Sequence, residues 1–348
     1  MGVFEKIAGD DYEQIVYCQD SKVGLKAIIA IHNSALGPAT GGCRLWNYRN
    51  EEEALTDVLR LAKGMTYKAS ISDLALGGGK SIIIGDRKSP ELLKRFGEFV
   101  QTFGGHYITA KDVGIDSADL KLVKSKTPHV LGIEGEANSS GDPSPVTAWG
   151  VYQGMRAAAQ VALGNSSLKG LHVALQGLGA VNYSLAKYLH AEGAKLSGCD
   201  IDKSKAESAH KEFGLNIVRA EEIYDVSVDV FSPGALGAIL NSQTIPRLRC
   251  KVVAGAANNQ LATENDGELL MKRGIFYAPD YAINAGGLIN VCHEREGYNK
   301  ERAWKHVERI FDTIKMVLER SASENKTPSF VANRIAEERV RKAELARK

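Results

Sequence analysis

The chain has 348 residues, 44% apolar and 25% charged, which is the make-up of a globular protein of enzyme size with two domains expected. A net charge of +2 spread along the chain excludes a polyanion partner such as nucleic acid, and it excludes a charged membrane surface. No apolar stretch is long enough to span a bilayer and Met1 to Lys6 has no apolar leader, so a cytoplasmic protein is expected.

In chain order, Glu13 to Cys18 and Gly24 to His32 read as strands, the second with a β-branched centre. Leu55, Val58, Leu59, Leu61 and Ala62 recur at helical spacing, which predicts a helix over Glu51 to Tyr67. Ser81 to Ile84 predicts a short buried strand, and Pro90 to Thr102 a further helix. The breaker cluster Ser139-Ser-Gly-Asp-Pro-Ser-Pro145 is the domain boundary expected from composition. Beyond it, Val146 to Leu163 is an Ala- and Gly-rich helix suited to close packing. Strand and helix then alternate through Val228 to Phe231, Cys250 to Ala254 and Gly274 to Tyr277, which predicts a parallel sheet covered by helices. The stretch from Tyr298 to Lys348 reads as helical, broken near Asn325-Lys-Thr-Pro328, and its basic end as a solvated helix terminus. Five scattered cysteines (Cys18, Cys43, Cys199, Cys250, Cys292) form no CxxC or Cys/His cluster, so neither a disulfide framework nor a metal site is expected.

Two features carry chemistry. The first is Leu171-His-Val-Ala-Leu-Gln-Gly177-Leu-Gly179-Ala-Val-Asn182, a strand that turns through glycines into a helix. Gly177 permits the tight turn and Gly179 lets a pyrophosphate approach a helix N-terminus. Asn182 stands where a third glycine is usual. A second strand, Ala194 to Asp200, ends on an acid about twenty residues later, where a carboxylate bonds ribose hydroxyls and repels a 2′-phosphate. NAD is therefore expected rather than NADP.

The second feature is Gly64-Met-Thr-Tyr-Lys68, Gly77-Gly-Gly-Lys80 and Asp112 in Ile108-Thr-Ala-Lys-Asp112-Val-Gly114. Lys80 lacks P-loop spacing and precedes a strand rather than a helix, which disfavours a phosphate loop. Glycines beside a lysine allow close substrate approach, and a dry pocket with a second ammonium favours a neutral amine able to act as a base. A lysine at a helix end can equally be solvated or bonded to terminal carbonyls. The residues alone leave both readings open. Ala254-Gly-Ala-Ala-Asn-Asn-Gln260 and Asp280 to Asn290 fall where a parallel sheet places ligand loops, and they suit a ribose or carboxamide. They also suit simple turns.

Taken together, Gly37-Pro-Ala-Thr-Gly-Gly42-Cys-Arg44, the two lysine motifs, the Asp112 motif, Ser144-Pro-Val-Thr147, Ala254 to Asn259 and Asn284-Ala-Gly-Gly-Leu-Ile-Asn290 resemble the amino-acid dehydrogenase superfamily, and within it the leucine, phenylalanine and valine branch. The resemblance runs from about residue 10 to 340. It implies an α/β fold of two domains with a cleft between them: residues 1–135 for substrate, catalysis and dimerisation, residues 140–325 as a Rossmann-type NAD domain, and a C-terminal helix over about 328–348 packing back on the first. It further implies NAD-dependent, reversible oxidative deamination of an L-amino acid to a 2-oxo acid and ammonia. Lys80 falls on the catalytic lysine and Asp112 on the acid that assists proton transfer. The carboxylate-binding lysine falls on Lys68. Thr40, Gly41, Gly42, Ala110, Asn259, Leu288 and Val291 fall on the substrate pocket. Thr147, Gly177, Gly179, Ala180, Val181, Asp200, Ile201, Ala235, Asn258 and Asn284 fall on the cofactor site.

Ala110 favours a branched aliphatic side chain, leucine first with valine and isoleucine, whereas Thr40 and Leu288 depart from the leucine pattern. Gly234 replaces a cysteine common in the family. A homo-oligomer is implied, and because the chain stops at Lys348 without a further tail, a dimer is expected over an octamer. The alternatives are a phenylalanine or tryptophan dehydrogenase, a catalytically silent NAD-binding homologue that need not keep Lys68, Lys80 and Asp112, and a hydroxy-acid dehydrogenase, which wants a histidine base. His32 and His293 are the nearest histidines for that role.

Overall fold

The computed structural model describes residues 3–7 and 9–347. They form two compact units, one of Met1–Gly141, Val291–Tyr298 and Ala336–Lys348, the other of Asp142–Asn290 and Asn299–Ile335.

The first unit opens with a short helix α1 (Val3–Ile7) and strands β1 (Gln14–Asp20), β2 (Leu25–Asn33) and β3 (Ala39–Trp46). Helix α2 (Glu51–Ile71), strand β4 (Gly77–Ile84), helix α3 (Pro90–Gln101), strand β5 (Tyr107–Lys111) and helix α4 (Ser117–Lys124) follow. The sheet order is β1-β2-β4-β3-β5, antiparallel from β1 to β4 and parallel across β4, β3 and β5. Local sequence starts each long helix. Asn50 accepts from the Glu53 N–H at 2.8 Å and Glu51, Glu52 and Glu53 load the positive end of α2, while Ser89 and Pro90 start α3. The sheet is buried on both faces. Ile28, Ala30 and Ile82 pack under Ala54, Leu55, Val58 and Ala62 of α2. Cys43, Leu45 and Ile83 pack with Leu93 and Phe96 of α3 and Leu120 and Val123 of α4. Each fully buried Leu, Ile or Phe contributes about 1.5–3 kcal/mol, which is what fixes the strand register.

Two expectations about this unit need correction. Strand β4 begins at Gly77 rather than Ser81, so Lys80 lies inside a strand instead of before one. Its glycines also serve packing more than substrate approach. A Cβ at Gly78 would lie within 2.5 Å of Thr66 in α2, one at Gly79 would lie 2.9 Å from the Tyr107 ring, and one at Gly77 would lie 2.8 Å from the Gly37 carbonyl. On β3, a Cβ at Gly41 would collide with the Gly79 carbonyl of β4 and one at Gly42 with the Lys111 carbonyl at the end of β5, which is why this strand carries both glycines.

In the second unit come α5 (Pro143–Leu163), β6 (His172–Gln176), α6 (Ala180–Glu192), β7 (Lys195–Cys199), α7 (Lys203–Phe213), β8 (Asn216–Ile217), β9 (Val230–Pro233), β10 (Val252–Val253), α8 (Glu264–Lys272), β11 (Phe276–Tyr277), α9 (Asp280–Ile283), the start of α10 (Gly286–Cys292), α11 (Lys300–Glu308), α12 (Ile310–Glu324) and the start of α13 (Pro328–Ala346), while α10 from Val291 and α13 from Ala336 belong to the first. All six strands are parallel, in the order β11-β10-β9-β6-β7-β8. The chain leaves β6 in one direction and returns to its other side at β9, which makes the β6/β9 junction the switch point where such sheets bind nucleotides. Gly154 of α5 has no room for a side chain, since a Cβ there would lie 2.9 Å from Ile283 and 3.2 Å from Ile314. The segment Asp280 to Asn290, read in sequence as a ligand loop, is instead helical in α9 and α10, with Asn284 at the C-cap of α9.

The basic C-terminus is not merely solvated. Arg339 donates to the carbonyls of Ser70 at 2.7 Å and Ile71 at 3.1 Å, which closes the C-terminal turn of α2.

Candidate active site

The first unit holds a buried ion pair. Lys80, only 6% exposed, projects from β4, and its Nζ donates to Oδ2 of Asp112 just past the end of β5. These strands are not neighbours, because β3 runs between them. The register places Thr40 opposite Gly78 and Cys43 opposite Ser81, so the β3 residue between Lys80 and β5 is Gly42, itself opposite Ala110. A Cβ at Gly42 would lie 2.9 Å from the Asp112 Cβ and collide with the Lys111 carbonyl. Glycine at this position is what lets the lysine reach across a strand. Burial disfavours an ionised Asp112, but the Lys80 charge and hydrogen bond, the Arg44 charge and the Val113 N–H outweigh it and hold the carboxyl below its ordinary value. The Val113 N–H donates to Oδ1 at 2.6 Å, and Arg44 Nη2 stands 3.6 Å from the same oxygen.

Lys68 is half-buried in the last turn of α2, and the adjoining turn at Thr66 presses on β4 at Gly78. Thr40 is buried and donates to the Pro38 carbonyl at 3.2 Å, and the Gly41 carbonyl accepts from Tyr107 Oη at 2.7 Å. Leu288 and Val291 are half-buried on α10.

The second unit gathers its residues at the C-terminal ends of its strands. Gly177 follows β6 with φ +86°, and a Cβ there would lie 2.6 Å from the Cβ of exposed Ala235 after β9. Gly179 is the N-cap of α6, without a side-chain cap and with nothing within 4 Å of a Cβ position. Ala180, which follows it, is exposed and Val181 half-buried, so the start of α6 leaves a cradle that fits a pyrophosphate. Asp200 directly follows β7 and accepts from the Leu178 N–H at 2.7 Å and the Asp202 N–H at 2.9 Å. It thus stiffens the glycine turn while keeping lone pairs for a ribose hydroxyl, and Ile201 beside it is 96% exposed. Asn284 Nδ2 donates to Asn258 Oδ1 at 2.7 Å and to the Ala256 carbonyl at 3.0 Å. Asn259 is exposed at φ +50°, and its carbonyl accepts from the Ala238 N–H at 2.7 Å. Thr147 lies in the first turn of α5, its Oγ1 2.9 Å from where a Gly287 Cβ would be.

Asn182, the departure from the glycine fingerprint, is buried and donates through Nδ2 to the Gly177 carbonyl at 2.8 Å. A Cβ at Gly234 would lie 2.6 Å from Asn182 Oδ1 and closer still to Nδ2. The two sequence departures, Asn182 and Gly234, are therefore one feature: the amide fills the space that a side chain at 234 would occupy.

Comparison with known proteins now decides the family. Residues 13–129 match the model described as Glu/Leu/Phe/Val dehydrogenase, dimerisation domain, and residues 200–347 match Glutamate/Leucine/Phenylalanine/Valine dehydrogenase. A leucine dehydrogenase of Thermoactinomyces intermedius is 53% identical over 98% of this chain and 94% of its own. The chain belongs to the Glu/Leu/Phe/Val dehydrogenase family. A leucine dehydrogenase of Bacillus cereus is 52% identical over 97% of the chain and 93% of its own. The crystal structure of L-tryptophan dehydrogenase from Nostoc punctiforme superposes with a TM-score of 0.90 at 42% identity, covering 98% of this chain and 99% of that one. Membership makes the protein an amino-acid dehydrogenase, an oxidoreductase that works with a nicotinamide cofactor.

Arg44, Tyr48 and Asp57 carry no role in the sequence reading, yet the structure places Arg44 beside Asp112 and the other two beside Arg44. Arg44 Nη1 donates to Asp57 Oδ2 at 2.9 Å, and Tyr48 Oη donates to the same oxygen at 2.7 Å. The available signal was the alternation Thr40, Gly42, Arg44 along β3, which puts Arg44 on the face of Lys80. Among the described residues no helix is long and apolar enough to cross a membrane, and no group of three His, Cys, Asp or Glu side chains could hold a metal ion.

Proposed function

We propose that the protein catalyses reversible NAD-dependent oxidative deamination of a branched-chain L-amino acid, leucine before valine and isoleucine, to the 2-oxo acid and ammonia. The observation that carries this is the buried Lys80–Asp112 pair, one lysine donating to one carboxylate across β3. Lys68 holds the substrate carboxylate. A nicotinamide held in the second unit would supply the hydride acceptor for Cα. Lys80 Nζ accepts a proton from the water that adds to the resulting imine carbon, and Asp112 Oδ2 receives it in turn. Gly177, Gly179, Ala180 and Val181 cradle the pyrophosphate, Asp200 meets the ribose hydroxyls and repels a 2′-phosphate, and Asn258, Asn284 and Thr147 meet the nicotinamide half.

Leucine is favoured by the leucine dehydrogenases at 52–53% identity and by the methyl of Ala110, which shortens the pocket. An aromatic substrate is the second reading, supported by the fold-level match to the tryptophan enzyme. One methylene is worth about 1–3 kcal/mol of discrimination, so rates decide between them. The test is a panel of L-leucine, valine, isoleucine, phenylalanine and tryptophan with NAD and with NADP, followed by reduced-nicotinamide absorbance. Leucine with NAD is expected fastest, and an aromatic amino acid or NADP in first place replaces this reading. A homo-oligomer, a dimer, is supported by the match of residues 13–129 to a dimerisation domain, and its mass in solution tests it.

A further inference from the structure

Outside the residues already given roles, the first unit contains a chain of alternating charges that runs from solvent to Lys80. Arg60 is 62% exposed and its Nη2 donates to Asp57 Oδ1 at 3.1 Å. Asp57 binds Arg44 and Tyr48 through its other oxygen, and Arg44 faces Asp112, which contacts Lys80. Side-chain exposure drops from 62% at Arg60 to 15% at Asp57 and 22% at Arg44, and then to 14% at Asp112 and 8% at Lys80. The Arg44–Asp112 separation of 3.6 Å is an electrostatic contact rather than a hydrogen bond. Arg44 turns its two terminal nitrogens to two carboxylates, and its Nε is buried with no hydrogen-bond partner among the described residues. A guanidinium placed only to be satisfied would not leave that donor over. A cavity of about 340 Å³ opens on this group, lined by Arg44, Trp46, Tyr48, Glu53, Asp57 and Val113.

We propose that Arg44, braced by Asp57 and Tyr48, is a positioning residue that fixes the Asp112 carboxylate so that Oδ1 is held and Oδ2 faces Lys80. Without the brace, the carboxylate has only the Val113 N–H to orient it at Oδ1. The charged and titratable groups around Asp112 are Lys80 from β4, Arg44 from β3, and the buried Cys43 thiol and Tyr107 phenol on the far side of the sheet. Arg44 is the cation among them that can be removed without touching Lys80.

The proposal rests on reading Lys80 and Asp112 as the proton-handling pair, and the test separates the two. Arg44→Met, Arg44→Lys, Asp57→Asn and Tyr48→Phe are compared with wild type in kcat, amino-acid KM and the pH dependence of kcat. The carboxyl of Asp112 is titrated by ¹³C NMR in the same proteins. In Arg44→Met the kcat is expected to fall about 10–100-fold, less than the ~10²–10⁴ typical of a group that itself transfers the proton. The acid limb of the profile should move to higher pH, because a carboxylate that loses a cation protonates more readily. Asp57→Asn and Tyr48→Phe should shift the limb the same way by less, and Arg44→Lys should restore part of the loss. Binding of reduced cofactor, read by fluorescence, should stay at the wild-type value in all four. An acid limb and an Asp112 titration that stay put in variants that fold overturn the brace. If the Asp112 titration moves as expected but wild type turns over no amino acid, the brace stands and the catalytic reading falls. Tyr48→Phe removes one hydroxyl and supplies the answer should Arg44→Met not fold.

Discussion

Replacing Gly234 by alanine tests whether Asn182 and the missing side chain at 234 form one packing unit. The new methyl would sit 2.6 Å from Asn182 Oδ1 and closer to Nδ2, where ordinary contact needs about a full ångström more. Asn182 is 1% exposed and tied by Nδ2 to the Gly177 carbonyl at 2.8 Å, so its amide cannot retreat without releasing the glycine turn. Overpacking of this kind costs about 1–3 kcal/mol, which lowers Tm by roughly 2–4 °C per kcal/mol in a unit of this size. Asn182→Ala removes one hydrogen bond worth about 1 kcal/mol, but it also removes an Oδ1 that is buried without a partner among the described residues. Its net effect should stay within about 1 kcal/mol. In the Asn182→Ala background the Gly234→Ala methyl enters the space the amide vacates and should be nearly neutral, giving a coupling of about 1–3 kcal/mol. The assay is thermal unfolding of the four proteins of this double-mutant cycle, with reduced-cofactor affinity by fluorescence as a second readout. Affinity should weaken in Gly234→Ala and recover in the double variant. Equal losses from Gly234→Ala in both backgrounds would refute the reasoning.

The Asp112 carboxyl, held below its ordinary value, makes stability depend on pH with a definite sign. Its ion pair is fully stabilising above the unfolded value of about 3.9 and is lost as pH falls through the lower folded value. The unfolding free energy of wild type minus Asp112→Asn should therefore be constant at neutral pH and close only in strong acid; a gap that closes near pH 6 contradicts the assignment. Lys68→Met should raise the amino-acid KM far more than it lowers kcat, by about tenfold or more for the loss of one charge-assisted bond, while cofactor binding stays unchanged. An unchanged KM removes Lys68 from the substrate carboxylate.

How far these features could be seen in sequence depended on how local their causes are. The turn Gly177 to Asn182 was legible because a strand, two glycines and a helix lie within one short segment, and Asp200 directly follows the next strand. Lys80 and Asp112 were legible as residue types, but their meeting was not, because it depends on β3 lying between β4 and β5 with a glycine at the crossing. The run Gly77 to Gly79 was misread for a related reason. Nothing within the run shows that Thr66 and Tyr107 press on it from the two faces of the sheet. Arg44 and Asp57 lie on a strand and on the helix that follows it, and no spacing rule pairs residues across such a turn. Asn182 and Gly234 each looked like an isolated departure until contact across the sheet made them one.

The central claim is that Lys80 and Asp112 carry the deamination of an amino acid. It is tested most directly by the initial rate of reduced-nicotinamide formation from L-leucine and NAD, measured for wild type and Lys80→Ala side by side. Turnover in wild type and a fall of at least ~10²-fold in Lys80→Ala, with cofactor affinity unchanged, is the predicted result. Substantial activity in Lys80→Ala, or none in wild type with any branched-chain or aromatic amino acid, would contradict it.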